Sequence, residues 1–296
     1  MAVALFARHR GVGVDTRPLL APSVLLLFVW MIVPLALTVY LSFQRYNLNY
    51  LDQTGFAGLD NYRYLLEDPG LTNAILNTVI LVVSVLAITV AVGVLGAILL
   101  DQPVFGRGLA RLLCIAPFFI MPTVSALVWK NLLMHPVNGL FAWISRSLGL
   151  PVIDWFSDYP LVSVIIIVAW QWIPFALLIL LTSLQSLDRE QIEAARMDGA
   201  NGLRLFAHIM LPHLCRAITI VVMIETIFLL SIFAEILVTT AGGPGDASTT
   251  LPYLIYKTAL LDSDIGGASA GGMLAVVLAN LVAIFLMRTI SRTLED

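Results

Sequence analysis

The segment YPLVSVIIIVAWQWIPFALLILLTSLQSL, residues 159–187, contains no Asp, Glu, Lys or Arg. A helix that crosses the ~30 Å hydrocarbon core of a bilayer needs about 20 apolar residues, and this segment is longer than that. A membrane-spanning β-strand needs only about 9 to 11 residues, with a strict alternation of apolar and polar side chains that the segment lacks. The segment therefore predicts a transmembrane α-helix over residues 160–185.

Other segments of the chain are also long and apolar. Together the predicted helices cover residues 18–43, 74–100, 109–133, 160–185, 213–239 and 267–290. The first follows Arg8, Arg10 and Arg17, as in a signal peptide, but its apolar run of about 26 residues exceeds the ~7 to 15 of a cleaved signal. We expect an all-α integral membrane protein of six transmembrane helices. One domain (18–292) would lie between an N-terminal tail (1–17) and a C-terminal tail (293–296).

Proline residues fall inside several of these predicted helices. They are Pro22, Pro34, Pro117, Pro122 and Pro174. Proline has no backbone N–H, so it leaves a carbonyl unpaired that a neighbouring helix or a water-filled cavity must satisfy at membrane depth. We therefore expect these prolines to interrupt their helices.

The overall composition supports a membrane protein. Hydrophobic residues make up 59% of the 296 residues and charged residues 12%, about half the roughly 25% charge of soluble domains; the mean hydropathy is +0.94. A net charge of −3 offers no basic surface for nucleic acid. Cys114 and Cys215 form neither a disulfide framework nor a metal set, and no His, Cys or Asp spacing suits metal ligation. Lipid, and not nucleic acid, is the expected surrounding.

The basic residues predict an orientation, because cytoplasmic loops are enriched in Lys and Arg. With the N-terminus inside, most of the sixteen Lys and Arg residues fall on the cytoplasmic side. These are Arg8, Arg10, Arg17, Arg107, Arg111, Arg189, Arg196, Arg204, Arg216, Arg288 and Arg292. Both termini are then cytoplasmic, and the outer loops are acidic.

The cytoplasmic loop between the fourth and fifth predicted helices is unusually rich in charge. Asp188, with Gln191 three residues later, favours the start of a helix, and Asp198-Gly199 favours its end. A second short helix is predicted over Leu203 to Met210, ending at Pro212. A solvated connector would not need a helix-turn-helix with small residues on one face, so the loop predicts a docking element.

Three motifs follow one another in this loop. They are Glu193-Ala194-Ala195, Asp198-Gly199-Ala200 and Leu211-Pro212. This order resembles the EAA loop of permease subunits of bacterial ABC importers. The outer segment from Phe56 to Pro69 and the Gly242-Gly243-Pro244 turn resemble the carbohydrate-importing branch of that family, in particular the first permease of maltose-type transporters.

The resemblance implies a type I importer architecture in which separate subunits form the path, hydrolyse ATP and deliver the solute. A second, different permease would complete the path, two cytoplasmic ATPase subunits would bind ATP and Mg, and a periplasmic or lipid-anchored binding protein would deliver a carbohydrate-like solute. The helix from about Asp188 to Ala200 would couple to the ATPase through Glu193. The chain has no Gly-x-x-x-x-Gly-Lys-Ser/Thr motif, so ATP would be bound and hydrolysed in trans. The implied location is the bacterial inner membrane.

Two carboxylates interrupt the apolar character of the fifth predicted helix. At 1.5 Å per residue Glu225 lies ~20 Å beyond Pro212, near mid-depth, and Glu235 ~35 Å beyond it, near the outer mouth. Their ten-residue separation leaves a mismatch of about 80° on a straight helix, so they cannot point at one spot. Glu225 either lines a cavity or makes a buried hydrogen bond, and Glu235 either lines the path or sits at the interface. Ser231, Thr239 and Thr240 are the expected hydroxyl partners of Glu235.

Further polar side chains are candidates for the substrate path. Asn280 lies near the middle of the sixth predicted helix, and Gln171 lies between Trp170 and Trp172 in the fourth. Amides and indoles suit a hydroxyl-rich, uncharged solute. A lone Asn can equally join two helices, and a Trp can anchor at the interface. The segment 231–244 resembles sorbitol- and mannitol-type permeases most, so a sugar, a polyol or a sugar derivative is the expected solute.

Two rival functions can be weighed from the sequence. Gly267-Ala-Ser-Ala-Gly271 matches the Gly-x-Ser-x-Gly motif of serine hydrolases, but no strand precedes it, and small residues for close helix packing explain it better. A channel or secondary transporter would need no ATPase, and the EAA-like loop argues against it. The sequence thus favours a transport subunit without catalytic residues of its own.

Overall fold

The computed structural model describes residues 17–102 and 106–295, and these are mostly helical. Most of the predicted N-terminal tail (1–17), with Arg8 and Arg10, lies outside the described residues, as does Asp296 of the predicted C-terminal tail. The helices are α1 (Arg17–Ser42), α2 (Asp60–Glu67), α3 (Pro69–Asp101), α4 (Arg107–Ile115), α5 (Pro122–Val128), α6 (Leu140–Ser147), α7 (Trp155–Asp158), α8 (Pro160–Gln185), α9 (Arg189–Met197), α10 (Gly202–Leu205), α11 (Leu211–Leu229), α12 (Ala234–Thr239), α13 (Leu251–Tyr256) and α14 (Ile265–Glu295).

Shorter elements connect these helices. Turns of 3-10 helix cover Leu51–Gln53 and Ala116–Phe119, and π-helical turns cover Trp129–Leu133, Phe206–Met210 and Lys257–Leu261. Two short strands, β1 (Gln44–Arg45) and β2 (Gly55–Phe56), pair antiparallel, with Gln44 opposite Phe56.

Several helices are long and apolar enough to cross a membrane. In the described part of the chain they are Leu20–Ser42, Pro69–Asp101, Pro160–Gln185, Gly202–Leu229 and Ile265–Arg288, with a sixth crossing if the bent pair Arg107–Phe119 and Pro122–Leu133 counts as one span. The predicted all-α membrane architecture is confirmed. Its third span, however, is made of two halves.

The centre of the bundle is the contact between α3 and α8, with α11 packed against both. Gly93 and Gly96 of α3 face α8 so closely that a Cβ on Gly93 would lie 3.0 Å from the Cβ of Ala176. Buried apolar side chains continue this contact along the bundle, with Leu180 and Val221 fully buried. By contrast α1 packs mainly on α14 and exposes its apolar side chains almost all round.

The third predicted helix, 109–133, is not continuous. Its two halves meet at an angle of 106° at Ile120 and Met121, whose ψ angles of 133° and 137° are extended. Pro122 begins the second half, and a residue that precedes proline is disfavoured in helical conformation. Pro22, Pro34 and Pro174, in contrast, lie inside unbroken helices, so the expectation that every proline would interrupt its helix was wrong.

The fifth predicted helix, 213–239, also differs from expectation. It breaks at Leu230–Phe233, between α11 and α12, although no proline or glycine lies there. The hydroxyl of Ser231 donates to the Phe228 carbonyl at 2.8 Å, which occupies an acceptor at the end of α11. At its other end the helix does not stop at Pro212. A π-helical turn, with Leu211 N–H bonded to Phe206 O, carries the helix through the proline.

The bounds of the other spans differ from the prediction by at most five residues at either end. Helix α8 occupies residues 160–185, the range expected. Helix α3 starts at Pro69, five residues before the expected 74, because the Asp68 side chain caps it by accepting from Gly70 N–H. Helix α14 starts at Ile265 and runs through to Glu295, so part of the predicted C-terminal tail is helical.

The segment between α1 and α3 is fixed by side-chain hydrogen bonds. Asn61 of α2 donates to the carbonyls of Ser42 and Gln44, at 2.9 and 2.8 Å, and Tyr62 donates to the Ser42 hydroxyl at 2.6 Å. These bonds satisfy one carbonyl at the C-terminal end of α1 and one in the following strand β1. The segment between α1 and α3 is therefore an ordered cap on the end of α1.

Candidate functional sites

The first candidate site is the loop that carries α9 and α10. Asp188 is the N-cap of α9 and accepts from Glu190 N–H at 2.9 Å. The helix ends at Met197, and Gly199 follows with φ +82°, a conformation that glycine adopts without strain. Asn201 then caps α10 by accepting from Arg204 N–H. Local sequence therefore builds the predicted helix-turn-helix.

Most of this loop is exposed. Glu193 and Ala194 are exposed, and Ala195 is half-buried. Two apolar side chains that sequence reasoning missed stand out as well, since Met197 is 88% exposed and Leu203 76%. The signal for Met197 in the sequence is an apolar residue in a charged loop between two membrane-spanning helices. The loop thus offers carboxylate, small and apolar groups to a partner.

The two ends of this loop are joined by a histidine. His213, in the first turn of α11, places Nε2 2.9 Å from the carbonyl oxygen of Ser183 and 3.2 Å from the Ser186 hydroxyl, at the end of α8. A carbonyl can only accept, so Nε2 carries a proton. The helices before and after the loop are therefore linked at its base. A groove of about 700 Å³, lined in part by His213 and Arg216, lies beside this link.

The second candidate site is a cavity of about 530 Å³ at the two helix breaks. Ile120 and Pro122 line it from the break in the third span, and Ser231 to Glu235 line it from the break in the fifth. Interrupted helices commonly form the solute sites of transporters, because the break leaves polar groups and space between helices. The two breaks, distant in sequence, thus create a single space.

Aromatic rings form much of the cavity wall. Trp172 lies edge-on to Phe118 and Phe175, each with a ring-centroid distance of 5.8 Å, and it contacts Phe228 at 5.4 Å. Trp172, predicted as a path residue, therefore lines the cavity and belongs to a rigid aromatic cluster.

Gln171 also lines the cavity and fixes the break in the third span. Its Nε2 donates to Ile120 O at 2.7 Å, which satisfies a carbonyl that the broken helix leaves free. Its Oε1 is buried and has no hydrogen-bond partner among the described residues. The Gln171 amide was predicted to touch solute, but its Nε2 is already used to hold the break in the third span.

Glu235 lines the same cavity from the first turn of α12 and is 4% exposed. The expected hydroxyl partners do not reach its carboxylate. Thr239 donates to the main-chain carbonyl of Glu235 at 2.6 Å, Thr240 bonds elsewhere, and Ser231 donates to Phe228 O. In the described structure no other side chain donates a hydrogen bond to the Glu235 carboxylate.

Glu225 lies outside this cavity. It is fully buried, and its Oε2 accepts from the Thr89 hydroxyl of α3 at 2.6 Å, while Oε1 has no partner among the residues described. Of the two interpretations of this residue, the buried hydrogen bond between helices is the one that the geometry supports. The prediction of Glu225 as a path residue has no support from its position.

Asn280 does not join the cavity either. It is exposed on α14, and its amide donates to Val276 O at 2.8 Å, one helical turn back. The Gly-x-Ser-x-Gly match lies on the same helix, and a Cβ on Gly271 would approach Ile255 of α13 to 3.1 Å. That run therefore serves close packing. Within residues 17–102 and 106–295, no group of three or more His, Cys, Asp or Glu could hold a metal ion.

Lys130 is a residue near the cavity that the sequence reasoning missed. Its Nζ donates to Val238 O at 2.9 Å and Thr239 O at 2.8 Å, at the C-terminal end of α12. A cation is favoured there by the helix dipole and the free carbonyls. Lys130 therefore links the second half of the third span to α12, the second half of the fifth. A basic residue in an apolar span was the signal that could have revealed it.

Comparison with known proteins identifies similar chains. Residues 69–296 match the family model described as binding-protein-dependent transport system inner membrane component. A probable ABC transporter permease protein of Sinorhizobium fredii, y4oQ, is 38% identical over 86% of this chain and 83% of its own. The sn-glycerol-3-phosphate permease UgpA of Brucella abortus is 28% identical over 93% of this chain and 94% of its own.

A solved structure shares the fold. It is a chain of a bacterial ABC transporter involved in the import of the acidic polysaccharide alginate, with a TM-score of 0.78 and 20% identity. The match covers 93% of this chain and 94% of the other. The predicted importer-permease architecture is thereby confirmed.

Proposed function

The chain belongs to the family of binding-protein-dependent transport system inner membrane components, and we propose that it forms one half of the membrane path of an ATP-driven importer. The solute is a sugar, a polyol or a related sugar derivative. The chain is a permease subunit and not itself an enzyme. A second, different permease completes the path, and a binding protein delivers the solute from outside.

Energy reaches the chain through the loop with α9, which we call the coupling loop (residues 186–212). Two ATPase subunits bind ATP and Mg and receive α9 in a surface cleft, with Glu193 in contact with the ATPase. The observation that carries this assignment is the exposed, apolar Met197 between capped helix ends. An apolar side chain outside the membrane that is 88% exposed suits a protein partner.

The coupling loop also has the form of a lever. Its base is closed by His213, which bonds to the end of α8, so a force on α9 reaches α8 and α11 together. Helix α11 in turn leads to the break at Leu230–Phe233 and the cavity beyond it. ATP binding and hydrolysis would shift the path between inward-facing and outward-facing states. The protein would lie in the bacterial inner membrane with both termini cytoplasmic.

The test is a charge reversal on α9. A Glu193→Lys variant, expressed with its partner permease, ATPases and binding protein, should assemble in the membrane but lose the ATPase subunits on purification. Membrane vesicles should then show no ATP-driven uptake of labelled D-mannitol, D-glucitol or maltose. Met197→Asp should have the same effect, because it places a charge on the apolar contact.

The matched control is Gln191→Lys, which introduces the same charged side chain at another exposed position of α9. It should retain the ATPase subunits, since two residues are about 200° apart around a helix and its side chain therefore lies on the face opposite Glu193. Normal uptake and normal ATPase retention by Glu193→Lys would refute the coupling assignment. A complex that takes up no sugar or polyol in the unaltered form would refute the solute class.

A further inference from the structure

The cavity at the two helix breaks is lined by an acidic residue and by no basic residue among those described. Its lining residues include the carboxylate of Glu235 and, among the residues described, no Lys, Arg or His. Lys130 reaches the same half-helix, but its Nζ is engaged by the carbonyls of Val238 and Thr239 at the far end of α12. The cavity therefore presents one acidic group that pairs with no cation of the described residues within salt-bridge distance.

The carboxylate also lacks side-chain donors. An ionised carboxylate accepts hydrogen bonds and donates none, and burying it without donors is costly. Glu235 is 4% exposed and receives no side-chain donor in the described structure, in contrast to Glu225, which has Thr89. Glu235 lies in the first turn of α12, where the backbone dipoles favour a negative charge. What the group lacks is a donor on the cavity side.

Aromatic rings form much of the rest of the cavity wall. Phe118, Trp172, Phe175 and Phe228 form apolar walls, which suit the C–H face of a sugar ring or polyol chain. An uncharged solute brings O–H donors to Glu235 and C–H groups to the rings. A phosphate, sulfonate or carboxylate brings only acceptors and a like charge.

We propose that Glu235 makes this cavity a charge filter that admits uncharged, hydroxyl-rich solutes and disfavours anionic ones. The inference rests on the proposed function and narrows its solute class. The relatives named for sn-glycerol-3-phosphate and for alginate handle anionic solutes. By this inference the present chain differs from them in the charge of the solute that it passes.

Charged thiol reagents test the filter without knowledge of the natural solute. Cys114 and Cys215 are both exposed and free, so they are first replaced by Ser. Single cysteines are then placed in the cavity wall as Ser231→Cys or, in a second variant, Ala234→Cys. The assembled transporter in membranes is treated with anionic sulfonatoethyl methanethiosulfonate or cationic trimethylammonioethyl methanethiosulfonate.

The measured quantity is the ratio of the cation rate to the anion rate, divided by the same ratio for free mercaptoethanol. We expect a preference for the cation on the order of tenfold, as negatively charged clefts concentrate cations by such factors. Glu235→Gln should bring the ratio close to that of mercaptoethanol. The matched controls Glu225→Gln, which is buried outside the cavity, and Glu67→Gln, on the surface, should leave the preference unchanged.

An equal ratio in the chain with Glu235 and in the Glu235→Gln variant would overturn the filter. Failure of both cysteines to react with either reagent would overturn it too, because solute could not reach the cavity. These rates report local charge whether or not the complex imports a sugar. Failure of the proposed function would instead appear in the vesicle uptake and the ATPase retention of the Glu193→Lys experiment.

Discussion

The fifth span has two halves, α11 and α12, which are its inner and outer halves in the proposed orientation. Each half carries one buried glutamate, and the surroundings of the two glutamates differ. The inner half, α11, is continuous, and Glu225 receives a hydrogen bond from Thr89 of α3 at 2.6 Å. The outer half, α12, follows a break, and Glu235 opens onto the cavity with no side-chain donor among the described residues. The break in the helix therefore leaves Glu235 beside a cavity, where it can meet a solute. The continuous half instead buries Glu225 against a neighbouring helix.

The largest expected effect is on the inner glutamate. Thr89→Val removes the donor of Glu225 and leaves its carboxyl group buried without a partner, at a cost of about 3 kcal/mol in the free energy of unfolding. The midpoint of an SDS titration of the purified complex measures this loss. Glu235→Gln should shift that midpoint by much less. Equal shifts in the two variants would remove the distinction between the halves.

The packing of α3 against α8, beside α11, offers a second test, with a somewhat smaller effect. Gly93→Ala would place a Cβ 3.0 Å from that of Ala176 and 3.3 Å from the backbone nitrogen of Leu177. Because α3 and α8 would have to separate by a few tenths of an ångström, we expect a loss of about 2 kcal/mol. The control is Gly108→Ala in α4, where nothing lies within 4 Å. It should be neutral or stabilising by about 0.5 kcal/mol. Thermal aggregation temperatures of the two variants would rank them.

The outer half is tested through Lys130. Lys130→Met keeps the length of the side chain but leaves the carbonyls of Val238 and Thr239 without their donor, which should cost about 1 kcal/mol of stability. The expected result is a large change in the labelling rate of Ser231→Cys together with only a small change in the unfolding midpoint. A variant with altered stability and unaltered labelling would show that α12 is positioned by other contacts.

The smallest effect is expected at the inner end of α11. His213→Ala removes the link to Ser183, worth about 1 kcal/mol, and should raise the ATP consumed per solute imported while the ATPase remains bound. His213→Gln, which can still donate to the same carbonyl, should restore part of the coupling. Uptake and phosphate release measured on the same vesicles give the ratio. An unchanged ratio would show that the base of the coupling loop needs no link.

Features that depend on neighbouring residues were predictable from the sequence. The charge-free run 159–187 predicted α8, and Asp188 and Gly199 predicted the ends of α9, because caps act within one turn. The motif order of the coupling loop predicted the family, which the comparisons confirm. The roles of the individual residues in that loop remain predictions.

Features that depend on distant contacts were not predictable. The break at Leu230–Phe233 has no proline or glycine, and the partner of Glu225 lies 136 residues away along the chain. Helical periodicity indicated that Glu225 and Glu235 face different directions, but it could not say which of them meets a neighbouring helix. Asn280 was chosen for its depth in the membrane, and its outward orientation follows from the packing of α14 alone.

The sharp bend of the third span bears on how the chain enters the membrane. Each half, Arg107–Phe119 or Pro122–Leu133, is shorter than the ~17 residues that a helix needs to cross a bilayer by itself. The carbonyl at the bend is satisfied by Gln171, on a helix that is synthesised later. The bent form of this crossing is therefore complete only when α8 is in place, so the third span depends on the fourth for its final shape.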